Sequence, residues 1–402
     1  MGRFLFVVPP LTGHVNPLQS IAVLLRRQGH DVVWVGHEAA IGHLLPPESN
    51  LIGLETRLFL KDPKGHKQGL ASVFFLYREF ALPMGRDSLA EVEAAIDSFR
   101  PDVVVTDQLM FSGWLAARRK GVPYVTTVTT SASIMKVWDV SDRWLVQTLA
   151  EVQREFDLEP MERPDLSPIA NLVFSTQVFC GSLPRFEAPY LFVGPSTNLR
   201  SERIDFPWDR LREEVPAILV SLGTINRDRD PRFYDIVAEA TADMGVQVVM
   251  VAPEDWVSRA PEHVIAAPRV PQLALLPFMS AVLCHGGHNT VCESLAHDLP
   301  LVVTPICDDQ PLVARLVLES GAGLRLRFGR LTADAVREAV GRVLEEPSFQ
   351  AAARRIGQSF RRSGGAAMAT TALTEVAAGL PPSKLARPQR PPRDETRLAC
   401  SG

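Results

Sequence analysis

Short apolar runs that end in a loop and are followed by an amphipathic helix recur along the chain, and this alternation limits the fold more than any other feature. The first unit is Arg3–Val8, stopped by Pro9 and Pro10. A stretch with Leu18, Ile21, Ala22, Leu24 and Leu25 on one face follows, and then Val32–Val35. In that stretch Asn16 reads as a helix N-cap, Pro17 as the first helical position and Gly29 as the residue just past the end. Strand, crossover helix and strand form the building block of a parallel sheet.

The unit recurs in two blocks. In the first, Val103–Thr106 is a strand, Phe111–Lys120 a helix closed by Gly121, and Val122–Val128 a strand. In the second, Ala217–Val220, a helix Arg232–Met244 closed by Gly245, and Gln247–Val251 make one unit. Ala281–Leu283, helix Asn289–His297 and Leu301–Val303 make another, followed by helices at Pro311–Glu319 and Thr332–Glu345. Between the blocks, Val193–Pro216 is rich in Pro, charge and turn formers. A chain of 402 residues accommodates two large domains. We therefore expect two doubly wound α/β domains, 1–200 and 217–362, joined by a linker at 201–216 and facing each other across a cleft. A helix at 363–380 is expected to return to the first domain, and the Pro- and Arg-rich segment 381–402 to be a disordered tail.

Charge and cysteine content narrow the function. The net charge of −4 argues against a nucleic-acid partner. No stretch approaches the ~18 apolar residues of a membrane span, and the apolar run at the N-terminus is too short for a signal peptide. Five cysteines at irregular spacing do not make a disulfide framework. A cytoplasmic protein, monomeric or homodimeric, is the simplest expectation.

Chemistry-bearing residues cluster where strands end. His14, in Thr12-Gly13-His14-Val15-Asn16-Pro17, follows the first strand, where an imidazole can take a proton near neutral pH. The alternative is a histidine that only packs against the loop. Asp107 ends the strand Val103–Thr106; beside the first strand it could accept a hydrogen bond from His14 and stabilise the imidazolium. Its alternative is a helix N-cap. The densest motif is Cys284-His285-Gly286-Gly287-His288-Asn289-Thr290-Val291-Cys292-Glu293. Paired glycines admit close backbone approach, a helix start favours phosphate oxygens, and Glu293 shares a helical face with Asn289. A carboxylate there could accept from both hydroxyls of a ribose. The alternatives are a tight turn capped by Asn, or a zinc site whose spacing matches no standard pattern. Ser221-Leu222-Gly223-Thr224 is a second phosphate candidate, and Asp308-Asp309-Gln310-Pro311 suits sugar hydroxyls or a helix cap. No GxGxxG, GxxxxGK[ST] or GxSxG motif accompanies them.

Taken in order, these motifs resemble the nucleotide-sugar glycosyltransferases of the two-Rossmann-domain GT-B type, family 1, and within them the bacterial macrolide-glycosyltransferase-like group related to the UDP-glycosyltransferases. The resemblance covers about residues 1–380 and is densest from Arg269-Val270-Pro271-Gln272 through His285–Thr290, Glu293 and Asp309-Gln310. It implies that His14 is the catalytic base and Asp107 its partner. Arg269, Val270, Gln272 and Glu293 would bind the nucleoside, Glu293 through the ribose. Thr224, His285, Gly286, Gly287, Asn289 and Thr290 would bind the diphosphate, and Asp309 and Gln310 the sugar. Two positions depart from the plant pattern, which has tryptophans where this chain has Arg269 and His288; a guanidinium plane can also stack on a base. A ribose-binding Glu293 mildly favours UDP over dTDP.

The implied reaction is inverting transfer of a sugar, glucose by expectation, from a UDP- or dTDP-sugar to a hydroxyl of a hydrophobic natural product. No cofactor and no metal are implied. Phe74, Phe75, Tyr77, Phe80, Met84, Phe111, Met135, Trp138 and Trp144 supply apolar material for an acceptor pocket or for the core. Two other readings stay open: a nucleotide-sugar epimerase of the same fold, and a ligand-binding relative without catalysis.

Overall fold

A computed structural model describes residues 1–57, 70–135, 139–181, 187–197, 199–200 and 204–383. Residues 201–203 of the expected linker, Trp138, and 384–402 of the expected tail lie outside the described residues.

The chain forms two wholly parallel sheets. The first comprises β1 (Arg3–Val7), β2 (Asp31–Gly36), β3 (Asn50–Gly53), β4 (Val103–Asp107), β5 (Tyr124–Val128), β6 (Asn171–Val173) and β7 (Tyr190–Phe192), in the order β3-β2-β1-β4-β5-β6-β7. The second comprises β8 (Ala217–Ser221), β9 (Gln247–Val251), β10 (Val264–Ala267), β11 (Ala281–Cys284), β12 (Leu301–Val303) and β13 (Gly323–Arg325), in the order β10-β9-β8-β11-β12-β13. In each sheet the strand order reverses beside the first strand. The reversals fall between β1 and β4, with Val7 opposite Thr106, and between β8 and β11, with Ser221 opposite Cys284. At such a switch point the two flanking loops run to opposite faces and leave a crevice at the carboxyl edge.

Both sheets are covered on both faces, as parallel strands require. Along β1, Phe4 and Phe6 join one core while Leu5 and Val7 join another, because successive side chains alternate. Along β8, Ile218 and Val220 separate from Ala217 and Leu219 in the same way. Each fully buried large apolar side chain contributes about 1.5–3 kcal/mol. The final helix, Gly365–Ala377, buries Ala366, Ala369, Ala372, Leu373 and Val376 in the core that holds Phe4 and Phe6. The chain therefore crosses between the domains twice, and the crossings are tied together. The Val193 carbonyl accepts from Gly365 N and from Ser363 Oγ, both at 2.8 Å.

Two local expectations need correction. The first helix begins at Thr12 and not at Pro17, so Asn16 is not its cap and Pro17 lies inside it. Five residues of regular helix precede a proline only because the carbonyl it leaves without a donor finds another partner, described below. The strands β3, β6, β7, β10 and β13 have three or four residues each, too short to show a periodicity.

Helix Phe111–Lys120 lies directly on β4. A Cβ added at Gly113 would come within 2.7 Å of Thr106 Cβ. Gly113→Ala should therefore lower the unfolding free energy by about 1–3 kcal/mol, read as a shift in the urea midpoint at constant slope.

Candidate active site

The two switch points open onto one cleft. His14 follows β1 and Asp107 ends β4, so neighbouring strands deliver both. Asp107 is fully buried and its Oδ2 accepts from His14 Nδ1 at 2.9 Å, while the His14 side chain keeps 18% of its surface. Asp107 Oδ1 accepts from Leu109 N at 2.9 Å; it does not cap the helix that starts at Phe111, whose N-cap is Met110. An ionised carboxylate only accepts, so the ring proton sits on Nδ1 and Nε2 is left basic. Burial disfavours a charged ring, but the charge and hydrogen bond of Asp107, helped by the charge of Asp309, outweigh it. The His14 pKa lies above its ordinary 6.5.

A third group completes this constellation. Thr129 Oγ1 lies 2.8 Å from His14 Nδ1 and donates to Asp107 Oδ2 at 3.4 Å. Behind it, Gln108 is fixed by Asp165, itself held by the buried Arg163 through bonds of 2.7 and 2.6 Å. None of these residues belongs to a recognisable motif. Thr129 could have been found only by noting that β5 is the neighbour of β4 and ends at the same edge.

Facing His14 is the glycine–histidine turn after β11. Gly286 adopts φ 82°, a left-handed conformation that favours glycine. Gly223 and Gly287 sandwich the His285 imidazole: a Cβ at either would meet the ring at 2.7 Å and 2.5 Å respectively. The enclosed ring is stripped of solvent, which pushes its pKa down to about 4, so it is a neutral donor. Its Nδ1 is buried without a hydrogen-bond partner among the described residues. Helix His288–Ala296 starts here with Gly287 as N-cap and no side-chain cap, so the Asn-capped turn is not what forms. Its first amides are open to an anion.

The two halves touch directly. Pro17 has no N–H for the Gly13 carbonyl four residues earlier, and Asn289 Nδ2 donates to that carbonyl at 2.7 Å. Thr130 donates to Asp309 at 2.6 Å, and Ser72 to Asp308 at 2.7 Å. Asp309 is therefore within reach of the His14 field, and burial pushes its own pKa up.

Comparison with known proteins bears on the family and the fold. A family model described as the C-terminal domain of erythromycin biosynthesis protein CIII-like proteins matches residues 235–380. A glycosyl transferase 4-like domain matches residues 12–179. The uncharacterized UDP-glucosyltransferase YdhE of Bacillus subtilis is 28% identical over 376 residues, covering 88% of this chain and 92% of that one. The 4'-demethylrebeccamycin synthase of Lentzea aerocolonigenes is 26% identical, covering 89% and 95%. The crystal structure of CalG4, the calicheamicin glycosyltransferase, matches with a TM-score of 0.76 at 25% identity, over 94% of this chain and 98% of that one. Together these comparisons support a glycosyltransferase of the GT-B fold, family 1.

Not every expected donor contact of this glycosyltransferase is free in the structure. Gln310 is spent on its own loop: its Oε1 accepts from Ile306 N at 2.9 Å and Cys307 N at 3.1 Å, and its Nε2 points to Cys307 Sγ. It caps that turn, where a sugar contact was expected. Asp309 is the N-cap residue of the following helix but makes no side-chain cap; its carboxylate accepts from Thr130. Asn289 holds Gly13 in place of a phosphate. Val270 buries its side chain in the second core, which leaves its main chain for a base. Arg269 and Thr224 are exposed, and Thr290 is half-buried beside the cradle. His288 turns to the first domain, with Nε2 3.3 Å from the Phe174 carbonyl, and burial lowers its pKa to about 4. Glu293 is held by Gln272 and by Arg200, a residue no motif marked.

Of the aromatic set, Tyr77, Phe80, Met84 and Phe111 belong to the first core, and Met135 to the second. Phe74, Phe75 and Trp144 are half-buried, with Phe74 edge-on to Trp144 at 4.8 Å.

The histidines should titrate apart. In an NMR titration His14 should protonate above pH 6.5 while His285 and His288 stay neutral down to about 4. Asp107→Asn should bring the His14 midpoint down, since it removes the main cause of the rise.

Proposed function

We propose that this glycosyltransferase moves a hexosyl group, glucose or a related sugar, from a UDP- or dTDP-sugar to a hydroxyl of a hydrophobic natural-product acceptor, with inversion and without a metal or other cofactor. The observation that carries the reading is the 2.7 Å bond from Asn289 to Gly13. It sets the His14–Asp107 pair against the glycine–histidine cradle, so a donor and an acceptor fit one cleft.

In the reaction, His14 Nε2 takes the acceptor's hydroxyl proton as the oxygen bonds to the anomeric carbon. The bond from that carbon to the phosphate oxygen breaks, and the nucleoside diphosphate leaves with the electron pair. Asp107 and Thr129 stabilise the imidazolium on its Nδ1 side. Negative charge grows on the leaving group, where the helix start and the neutral His285 donor are already aimed. Fixed dipoles of this kind stabilise the transition state more than the ground state, which removes the need for a divalent cation. Attack from the face opposite the leaving group inverts the centre. Asp309, beside His14, is placed to accept from sugar hydroxyls once Thr130 shares it.

The acceptor side is supported by Phe74, Phe75 and Trp144. They lie on the first domain, and Ser72, in the same helix as Phe74, reaches Asp308 across the cleft. An apolar wall beside a polar reaction centre suits a largely hydrophobic alcohol or phenol. The curated relatives named above include a synthase of 4'-demethylrebeccamycin, which accords with a natural-product acceptor.

The test is a panel of UDP- and dTDP-sugars with pooled acceptors, read by mass spectrometry and by NMR of the product anomer. Inverted products that still form in EDTA are expected. A retained anomer, or donor interconversion without acceptor, would overturn the proposal. His14→Ala should lower kcat by about 10²–10⁴-fold. Because the base must be neutral and its pKa is raised, kcat/KM of the wild type should fall as pH drops through a value above 6.5. In Asp107→Asn that limb should move to lower pH.

A further inference from the structure

We propose that Arg200 makes the donor site selective for a 2′-deoxynucleoside diphosphate over a ribonucleoside diphosphate. The inference rests on the donor reading above and refines it.

Glu293 is the carboxylate assigned to the nucleotide sugar ring, and in this structure it is nearly saturated. Arg200 Nη1 donates to Oε1 at 2.6 Å, and Nη2 to Oε2 at 3.3 Å. Gln272 Nε2 donates to Oε2 at 2.5 Å. A carboxylate offers about four acceptor directions. Three are taken, and the one left lies on Oε1. A 2′-deoxyribose brings one ring hydroxyl to this position and can be satisfied. A ribose brings two, and the second finds the acceptor already used.

Arg200 is held firmly. Its side chain is 4% exposed and that of Glu293 5%. Moving the guanidinium out would leave a buried carboxylate short of its charge partner, which costs more than a single hydrogen bond returns. A small cavity of about 10 Å³ borders the pair, lined by Asn289, Cys292, Pro17 and Phe174 among others, so the site lies on the seam between the domains. With Glu293 taken as unengaged, the residue pattern alone favours UDP; the ion pair reverses that preference.

The experiment is calorimetric titration of the full-length protein with UDP, dUDP and dTDP. UDP and dUDP differ only in the 2′-hydroxyl. The wild type should bind dUDP and dTDP about fivefold or more tightly than UDP, the weight of one hydroxyl left without its acceptor. Arg200→Gln, which frees an acceptor direction, should bring UDP and dUDP to within about twofold. Arg200→Lys keeps the charge but donates from one point, and should give an intermediate ratio; it serves if thermal melting shows that the Gln variant does not fold. If none of the three nucleotides binds, the donor reading itself falls. If they bind and UDP equals or exceeds dUDP in the wild type, or if the preference persists unchanged in both variants, the role of Arg200 alone is overturned.

Discussion

Proline at position 17 cannot donate to the carbonyl of Gly13, and the carbonyl it leaves open is where the second domain takes hold of the first through Asn289. The bond is short and its donor is an uncharged amide, so its net weight is about 0.5–1.5 kcal/mol. Thr130–Asp309 and Ser72–Asp308 add two hydroxyl-to-carboxylate bonds, a stronger kind where the carboxylate is charged. With His288–Phe174 and Arg200–Glu293 they join the two halves across the cleft. A ligand that offers the same groups comparable partners can open the seam and replace them, which is how a domain interface stays mobile. Asn289 and Asp309 are also proposed donor contacts, so on that proposal closure and donor binding would use the same atoms.

Two histidines at the carboxyl edges of the two sheets are pushed towards opposite protonation regimes. His14 stands against buried Asp107 and is pushed towards the cation; His285 is enclosed between glycine backbones and is pushed towards the neutral form. A base needs a carboxylate behind it to accept a proton. A donor to a diphosphate needs only a fixed N–H, and a ring that stays neutral does not change its role over the physiological range. The difference comes from what each strand end places beside the ring. Environments that separate the pKa values of paired groups are how one scaffold assigns acid–base roles.

The sequence exposed the parts of this arrangement that repeat or cluster. Alternating strands and helices gave both sheets, and the position of His14 and Asp107 at strand ends made their contact a consequence of β1 lying beside β4. Short strands carry no period: β11 and β12 are legible because a helix follows each in the repeating unit, whereas β3, β6, β7, β10 and β13 are not. Pro17 was misplaced because a proline inside a helix reads as a helix start unless the partner that rescues the lost bond is known, and that partner is 272 residues away in the chain. Thr129, Thr130 and Ser72 act through single hydroxyls, which no spacing rule distinguishes from surface residues. Gln310 matches a motif and also bonds the backbone of its own turn, which the motif alone does not reveal.

Arg200 is the case where local sequence was least informative and position most important. It sits six residues beyond Gly194, which adopts φ 74° where the first crossing between domains begins. That crossing is tied at Val193 to the second one, at Ser363 and Gly365. A pivot there leaves the segment that carries Arg200 short and its path fixed by both domains. In this structure Leu199 N donates to Ser20 Oγ of the first domain while the next residue, Arg200, is paired with Glu293 of the second. The linker, with no motif of its own, thereby shapes the site that the two sheets only frame.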